Sequence, residues 1–283
     1  MALKPAALRV ALDHAYDLAA TRAAAHVARD PVRFAHAWAL KSDADAEIAG
    51  VFAAQLAFGR VDLFGPVLER LFAEMAAVGG PRAWVERCAD GRVGGGDPLV
   101  YRWFGRADFL ALGVALGRLY RAEGLPAAFV TMEAGISRLG SLAPYEAAGA
   151  FFPTWFARPS SGSACKRWCM YVRWMVRREA PDLGLWRHLD PADLVMPVDT
   201  HVLRIAQLTG LTDRKAANWK TAVEITSRLR AFSPGDPVRY DFALAHLGIS
   251  AGCTGVASPA CDACAMKPVC RVHAPAPRRR RAG

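Results

Sequence analysis

Apolar residues along the chain recur at spacings of three and four, the repeat of a helix face, in segments near residues 5–28, 45–58, 62–77, 107–123, 127–138, 164–178, 200–209, 215–231 and 238–248. Alternating β-branched runs, which would signal half-buried strands, are absent. Breaks rich in Gly and Pro separate the segments, among them Gly79-Gly80-Pro81, Gly94-Gly95-Gly96-Asp97-Pro98 and Ser233-Pro234-Gly235-Asp236-Pro237. The pattern predicts an all-α protein of many short helices, without internal repeats. No uninterrupted apolar run reaches the ~18 residues that a membrane-spanning helix needs. The N-terminal segment is broken by Arg9, Asp13, His14 and Asp17 before it reaches the length of a signal-peptide core, so it reads as an amphipathic helix and the protein as cytoplasmic.

Composition adds that the chain can bury a core. Of 283 residues, 53% are hydrophobic and 22% charged, a balance that excludes a disordered protein and fits one large domain or two intimate ones. The formal net charge is +10, and four of the excess positive charges form the run Arg278 to Arg281. A solvated tail explains that run equally simply. A basic body with a basic tail is also the electrostatic footprint of a nucleic-acid binder, because neutralising phosphates supplies most non-specific affinity.

The cysteines narrow the chemistry. Four of seven form a C-x7-C-x2-C-x5-C run, Cys253, Cys261, Cys264 and Cys270, which is a metal-site signal. A reducing compartment and the geometry of short loops disfavour disulfides. Structural zinc sites usually pair two C-x2–4-C hooks, and here only Cys261 and Cys264 make one, so the spacing favours a [4Fe-4S] cluster over zinc. Cys88, Cys165 and Cys169 read as packing residues.

Three further positions stand out. A helix starting at Ala164 would bury a stripe of Trp168, Tyr171, Val172, Met175 and Val176, placing Lys166, Arg173 and Arg177 on the opposite side as a basic ridge or as a plain solvated face. Lys166, in the first turn next to Arg167, sits where the helix dipole disfavours a second positive charge and so could be partly neutral and nucleophilic. Asp199 precedes an apolar periodic run and reads as the N-cap of a helix, while His201 in its first turn reads as structural. Gln55 falls on the stripe of Ile48, Val51, Phe52 and Gly59, where an apolar residue is expected. Tyr101, Trp103, Phe104 and Trp155 fit either an aromatic core or base stacking and carry no assignment.

The segment Pro197-Val198-Asp199-Thr200-His201-Val202, followed by a helix ending at Gly248 and then the cysteine run, resembles the helix-hairpin-helix DNA glycosylase superfamily, in particular its endonuclease III branch. That branch carries a Val-Asp-Thr-His-Val segment with its catalytic aspartate and a C-x6-C-x2-C-x5-C iron–sulfur loop. The resemblance runs over roughly residues 40–272 and points to an uncharacterised bacterial family within the superfamily. It implies a two-lobed, all-α fold: residues 1–40 as an N-terminal helix packing with the cluster lobe, 41–192 as a helical-barrel lobe with the hairpin, 193–273 as the cluster lobe, and 274–283 as a disordered basic tail.

The site residues follow from the same likeness. The family's Leu-Pro-Gly-Val-Gly-x-Lys hairpin, which holds a DNA phosphate on backbone amides, maps to Ser161, Gly162, Ser163 and Ala164 before Lys166, with Ala164 in place of the second glycine. The stretch from Lys166 to Asp199 is about twice as long as in the family, which implies an insertion around residues 179–190 packing beside the DNA cleft. Lys166 and Asp199 would be catalytic, Gln55 would fill the hole left by a flipped base, Arg173, Arg177, Lys267 and Arg271 would meet phosphates, and the four cysteines would hold the cluster. The resemblance implies a base-excision repair glycosylase with abasic-site lyase activity, acting as a monomer on double-stranded DNA that carries a damaged base or abasic site. A non-catalytic DNA-binding or structure-sensing protein on the same scaffold is the alternative. An iron–sulfur electron carrier would explain the cysteines alone.

Overall fold

A computed structural model describes residues 5–22, 25 and 27–273. The described residues contain no strand, and 61% of them are helical. The helices are α1 (Pro5–Thr21), α2 (Val32–Ala39), α3 (Asp43–Leu56), α4 (Val61–Ala77), α5 (Pro81–Ala89), α6 (Arg106–Ala122), α7 (Leu125–Ala128), α8 (Met132–Ser141), α9 (Lys166–Val176), α10 (Thr200–Leu208), α11 (Trp219–Arg230) and α12 (Asp241–Ile249). Two helices are additional to the sequence expectation. Gly79-Gly80-Pro81 reads as a break, yet Pro81 is where α5 begins, its missing N–H costing nothing in a first turn. Helix α2 follows Pro31 and is short, with only Val32, Phe34, Ala35 and Trp38 to mark its buried face.

The chain divides into two compact units, Met1–Ala23 with Pro191–Gly283, and Ala24–Asp190. The expected boundary at residue 40 falls after Ala23 instead, because α2 packs on α3. The expected tail at 274–283 lies outside the described residues.

In the first unit, α1, α10, α11 and α12 enclose a core that includes Leu12, Val202, Ile205, Ile225 and Leu244. The Tyr240 hydroxyl donates to Asp13 at 2.8 Å and fixes α1 beside the start of α12. The cysteine loop joins this core through Met266 and Val269, with Cys253 and Cys264 packed against it.

The second unit is built on α3. Ser42 caps the helix by accepting from the Asp45 amide at 3.0 Å, and every residue from Asp45 to Leu56 is buried. Ala46, Ala49, Gly50, Ala53 and Ala54 let neighbours approach closely; a Cβ on Gly50 would meet Met175 of α9 at 3.0 Å. Helix α6 uses small residues in the same way, since a Cβ on Gly117 would lie 2.1 Å from the Val85 carbonyl of α5.

Helix α9 begins at Lys166 rather than Ala164, because Cys165 has left-handed backbone, φ 50°. The expected apolar stripe is buried, but so are Cys169, Met170, Arg173 and Trp174, so from Trp168 onward the helix has no solvated side. This corrects the basic ridge and with it the assignment of Arg173 and Arg177 to phosphates. Both guanidiniums turn inward to the Asp182 carboxylate, at 3.0 Å from Arg173 and 2.6 Å from Arg177, and the Asp182 side chain is itself wholly buried. The stretch around 179–190 folds back along α9: the Leu183 and Trp186 amides donate to the Trp174 and Met175 carbonyls at 2.8 and 2.7 Å. Asp182→Ala would leave two buried cations without this carboxylate, and we expect a loss of about 3–5 kcal/mol in urea unfolding, with little change for an exposed control such as Asp62→Ala.

Candidate functional site

In the second unit, the C-terminal end of α3 meets the N-terminal end of α9. Lys166 Nζ donates to the Ala57 carbonyl at 3.1 Å, and Arg167 donates to the Gln55 and Thr154 carbonyls at 3.0 and 2.8 Å. Neither side chain makes an ion pair among the described residues. Burial without a carboxylate pushes the Arg167 guanidinium down to about 10. Asp30, at the start of α2, lies deep while keeping some access to solvent; burial raises its carboxyl above the usual range, against the pull of the Val32 amide and of the Arg173 and Lys166 charges.

The segment before Lys166 is a tight turn. Pro159–Ser161 form one 3-10 turn, Gly162 is left-handed with φ 79°, and its amide donates to the Pro159 carbonyl at 2.8 Å. Ser161 Oγ donates to the Arg158 carbonyl at 2.6 Å, and Ser163 Oγ accepts from the Cys165 amide at 3.1 Å. Ser161 and Gly162 are exposed, while Ser163 and Ala164 are half-buried, which leaves the turn open to a ligand. Two successive left-handed kinks, at Gly162 and Cys165, deliver Lys166 as the first residue of α9.

Gln55 departs from its expected role. Its side chain is fully buried, and neither the amide nitrogen nor the amide oxygen has a partner. A residue so enclosed does not present itself to a gap in a DNA duplex; what α3 displays beyond its end is Phe58, half-buried, followed by exposed Gly59 and Arg60.

In the first unit, Asp199 is the N-cap of α10. Its Oδ1 accepts from the His201 and Val202 amides, both at 2.9 Å, and Oδ2 takes no hydrogen bond among the described residues. The carboxylate is thus fixed by one oxygen and offers the other. His201 packs on Gly248, where a Cβ would come within 2.6 Å of its ring, and its Nδ1 is buried without a partner.

All four clustered cysteines are half-exposed free thiols. Burial raises the Cys264 thiol, and Cys253, Cys270 and Cys261 are near enough to raise it further. Among the described residues no three Cys, His, Asp or Glu side chains converge closely enough to hold one metal ion. Lys267 and Arg271, expected at phosphates, are each already paired, with Asp262 and Asp213, both at 2.7 Å.

Residues 30–250 match the family described as "Protein of unknown function (DUF2400)", and the chain belongs to that family. No curated protein and no solved structure matches it. The matched span contains Gln55, Lys166 and Asp199 and stops short of Cys253.

The cap separates structure from chemistry at Asp199. Asp199→Asn keeps an acceptor for the two amides and is expected to preserve thermal stability, whereas Asp199→Ala costs about 1 kcal/mol; equal stability of all three proteins in chemical denaturation would remove the capping role.

Proposed function

We propose that this protein is a base-excision DNA glycosylase with abasic-site lyase activity, built on the scaffold of the helix-hairpin-helix glycosylases. The observation that carries the proposal is Lys166: a lysine at the head of a helix, behind a left-handed turn, with no carboxylate partner. Asp199 supports it by offering an unbonded carboxylate oxygen while its other oxygen is held by two amides.

Chemistry on a base within a duplex requires the nucleotide to be extruded. In the proposed reaction Lys166 gives up its extra proton to water and attacks as the neutral amine: the Nζ lone pair bonds to C1′ as the N-glycosidic bond breaks, and the base leaves with the bonding electrons and takes up a proton from water. Loss of the Nζ proton opens the sugar to a Schiff base, and removal of a C2′ proton then expels the 3′ phosphate. The likeness to the glycosylases, and not the placement of the two units, assigns the Asp199 carboxylate the role of stabilising the positive charge developing at C1′. With the Ser161, Gly162 and Cys165 amides already bonded within the turn, a backbone phosphate would be met by the amides of Ser163 and Ala164, just ahead of α9.

Cys253, Cys261, Cys264 and Cys270 would hold a [4Fe-4S] cluster in this reading, which rests on their C-x7-C-x2-C-x5-C spacing with a single short hook. The cluster would supply cohesion to a loop that has little core of its own. Purified protein is expected to carry about four iron atoms per chain, lost in Cys264→Ser and kept in Cys88→Ser; stoichiometric zinc instead would overturn the assignment.

The bond from Lys166 to the Ala57 carbonyl favours a second reading, in which the lysine is structural and the protein binds DNA without cleaving it. Borohydride trapping on a duplex with one abasic site decides between them. The glycosylase–lyase should give a covalent complex with wild type, none with Lys166→Gln, and a rate about 100-fold lower or less with Asp199→Asn. Tight, salt-dependent binding with no trapping selects the binder.

A further inference from the structure

The segment Tyr101-Arg102-Trp103-Phe104, unassigned from sequence, is folded so as to sort its four side chains. The amides and carbonyls of Tyr101 and Phe104 bond to each other at 2.9 and 3.0 Å, closing a turn in which Arg102 adopts left-handed backbone, φ 56°. Tyr101 and Phe104 are thereby buried, and Arg102 and Trp103 project outward, Trp103 with 51% of its surface exposed. An arginine held at positive φ is strained, so the turn is maintained by its surroundings. Those surroundings are the end of α3: the Tyr101 hydroxyl donates to the Phe58 carbonyl, and Gly59, φ 84°, is so tightly faced that a Cβ would lie 2.6 Å from the Arg102 guanidinium.

Around Trp103 lies a continuous aromatic and cationic surface. Its ring stacks on Phe58, centroids 6.0 Å apart at 25°, and meets Phe151 at 5.3 Å. Phe151 is also 51% exposed, and the Gly149 amide bond to buried Asp108 at 2.9 Å anchors its loop. The Arg102 guanidinium lies 5.3 Å from the Phe58 ring and 5.8 Å from Trp103, and that of Arg167 lies 5.5 Å from Phe58. Arg102, Lys166 and Arg167 make no ion pair among the described residues, in contrast to the neutralised Arg173, Arg177, Lys267 and Arg271. Exposed aromatic faces amid unpaired cations match one chemistry above others: bases whose π-faces are open, on a backbone that carries one negative charge per nucleotide.

We propose that Trp103 and Phe151 form a stacking platform for the unpaired bases of single-stranded DNA, with Arg102 meeting its phosphates and the half-buried Arg167 adding positive potential behind it. This deepens the glycosylase reading by naming the substrate class, DNA with a single-stranded segment at the site, but its observations are separate. Sequence preference is expected to be weak, since every base has a face to stack.

The test uses the full chain and a fluorescently labelled 12-nucleotide dT oligomer, followed by anisotropy. Wild type should bind with strong salt dependence, Trp103→Ala and Phe151→Ala each about tenfold more weakly or worse, and Trp103→Phe close to wild type. Arg102→Gln should flatten the slope of log K against log salt by about 0.7. Circular dichroism confirms that each variant is folded, which half-exposed positions permit. Binding unchanged in the Trp103→Ala, Phe151→Ala double variant would overturn the platform, as would a wild-type dimer in sedimentation that this double variant dissolves, which assigns the face to a second copy. Failure here with Lys166-dependent trapping intact removes the platform alone. Oligomer binding that depends on Trp103, with no trapping, removes the catalytic reading alone.

Discussion

Burial of α3 on every side is the constraint on which the second unit depends. A helix without a solvated face cannot carry polar groups freely, and it can be approached closely only through small side chains. The sequence answers most of this. Ala46, Ala49, Gly50, Ala53 and Ala54 provide the close approaches, and its two buried acids are satisfied internally: Asp45 by the Arg82 amide at 2.7 Å, and Glu47 by the Trp186 indole at 2.7 Å together with the Tyr120 hydroxyl, whereas the Gln55 amide is left without a partner. Burial nevertheless raises the Glu47 carboxyl, since two donors do not replace bulk water. Because α3 is locked along its length, its last turn is fixed in place, and the carbonyls of Gln55 and Ala57 become rigid acceptors for Arg167 and Lys166.

The charges on α9 follow a different rule at each end. Arg173 and Arg177, in its last turn and at its end, lie in the interior and are tolerable there because Asp182 sits between them. Lys166 and Arg167, at its start, hydrogen-bond only to carbonyls, with the Phe58 ring near Arg167 and the Asp30 carboxyl near enough to feel the Lys166 charge, and a carbonyl offers a partial charge where a bonded carboxylate offers a whole one. A helix N-terminus adds to the positive potential there. One helix thus carries a neutralised end and an electrostatically incomplete one. The incomplete end is the one beside the exposed turn at Gly162 and the ring of Phe58.

Much of the fold was legible in the sequence because helix periodicity depends on burial alone: nine periodic segments correspond to helices of the structure, several with ends set by the caps Ser42, Thr131, Asp199 and Asn218. Asp199 was legible as a cap for the same local reason. Arg173 and Arg177 were not, because charge opposite an apolar stripe normally means solvent, and the acid that draws them inward lies on a loop whose path no local pattern specifies. Gln55 announced itself as a polar residue on an apolar stripe, and it is indeed buried, but that signal gives its depth and not its partners. The sorting of Tyr101, Arg102, Trp103 and Phe104 was hidden for a related reason: three aromatic residues and an arginine are divided into inward and outward pairs by the left-handed backbone at Arg102, which composition does not encode.

That backbone has a counterpart. Arg102 and Cys165 are the two non-glycine residues with positive φ among the described residues, and they border the same place, one carrying the exposed turn and the other introducing Lys166. Each such conformation costs on the order of 1 kcal/mol or more and persists only where the surroundings over-determine it. At Arg102 the surroundings are the buried rings of Tyr101 and Phe104. At Cys165 they are a thiol enclosed against the Ala157 and Ser163 carbonyls, which burial pushes up to about 11 and so keeps protonated and unreactive. Strain elsewhere in the unit is left to glycine, as at Gly79, Gly80 and Gly124. Packing that over-determines both turns holds Trp103 and Lys166 in position before any ligand arrives, so that a ligand at this end of α9 meets a surface whose ordering cost has already been met in folding.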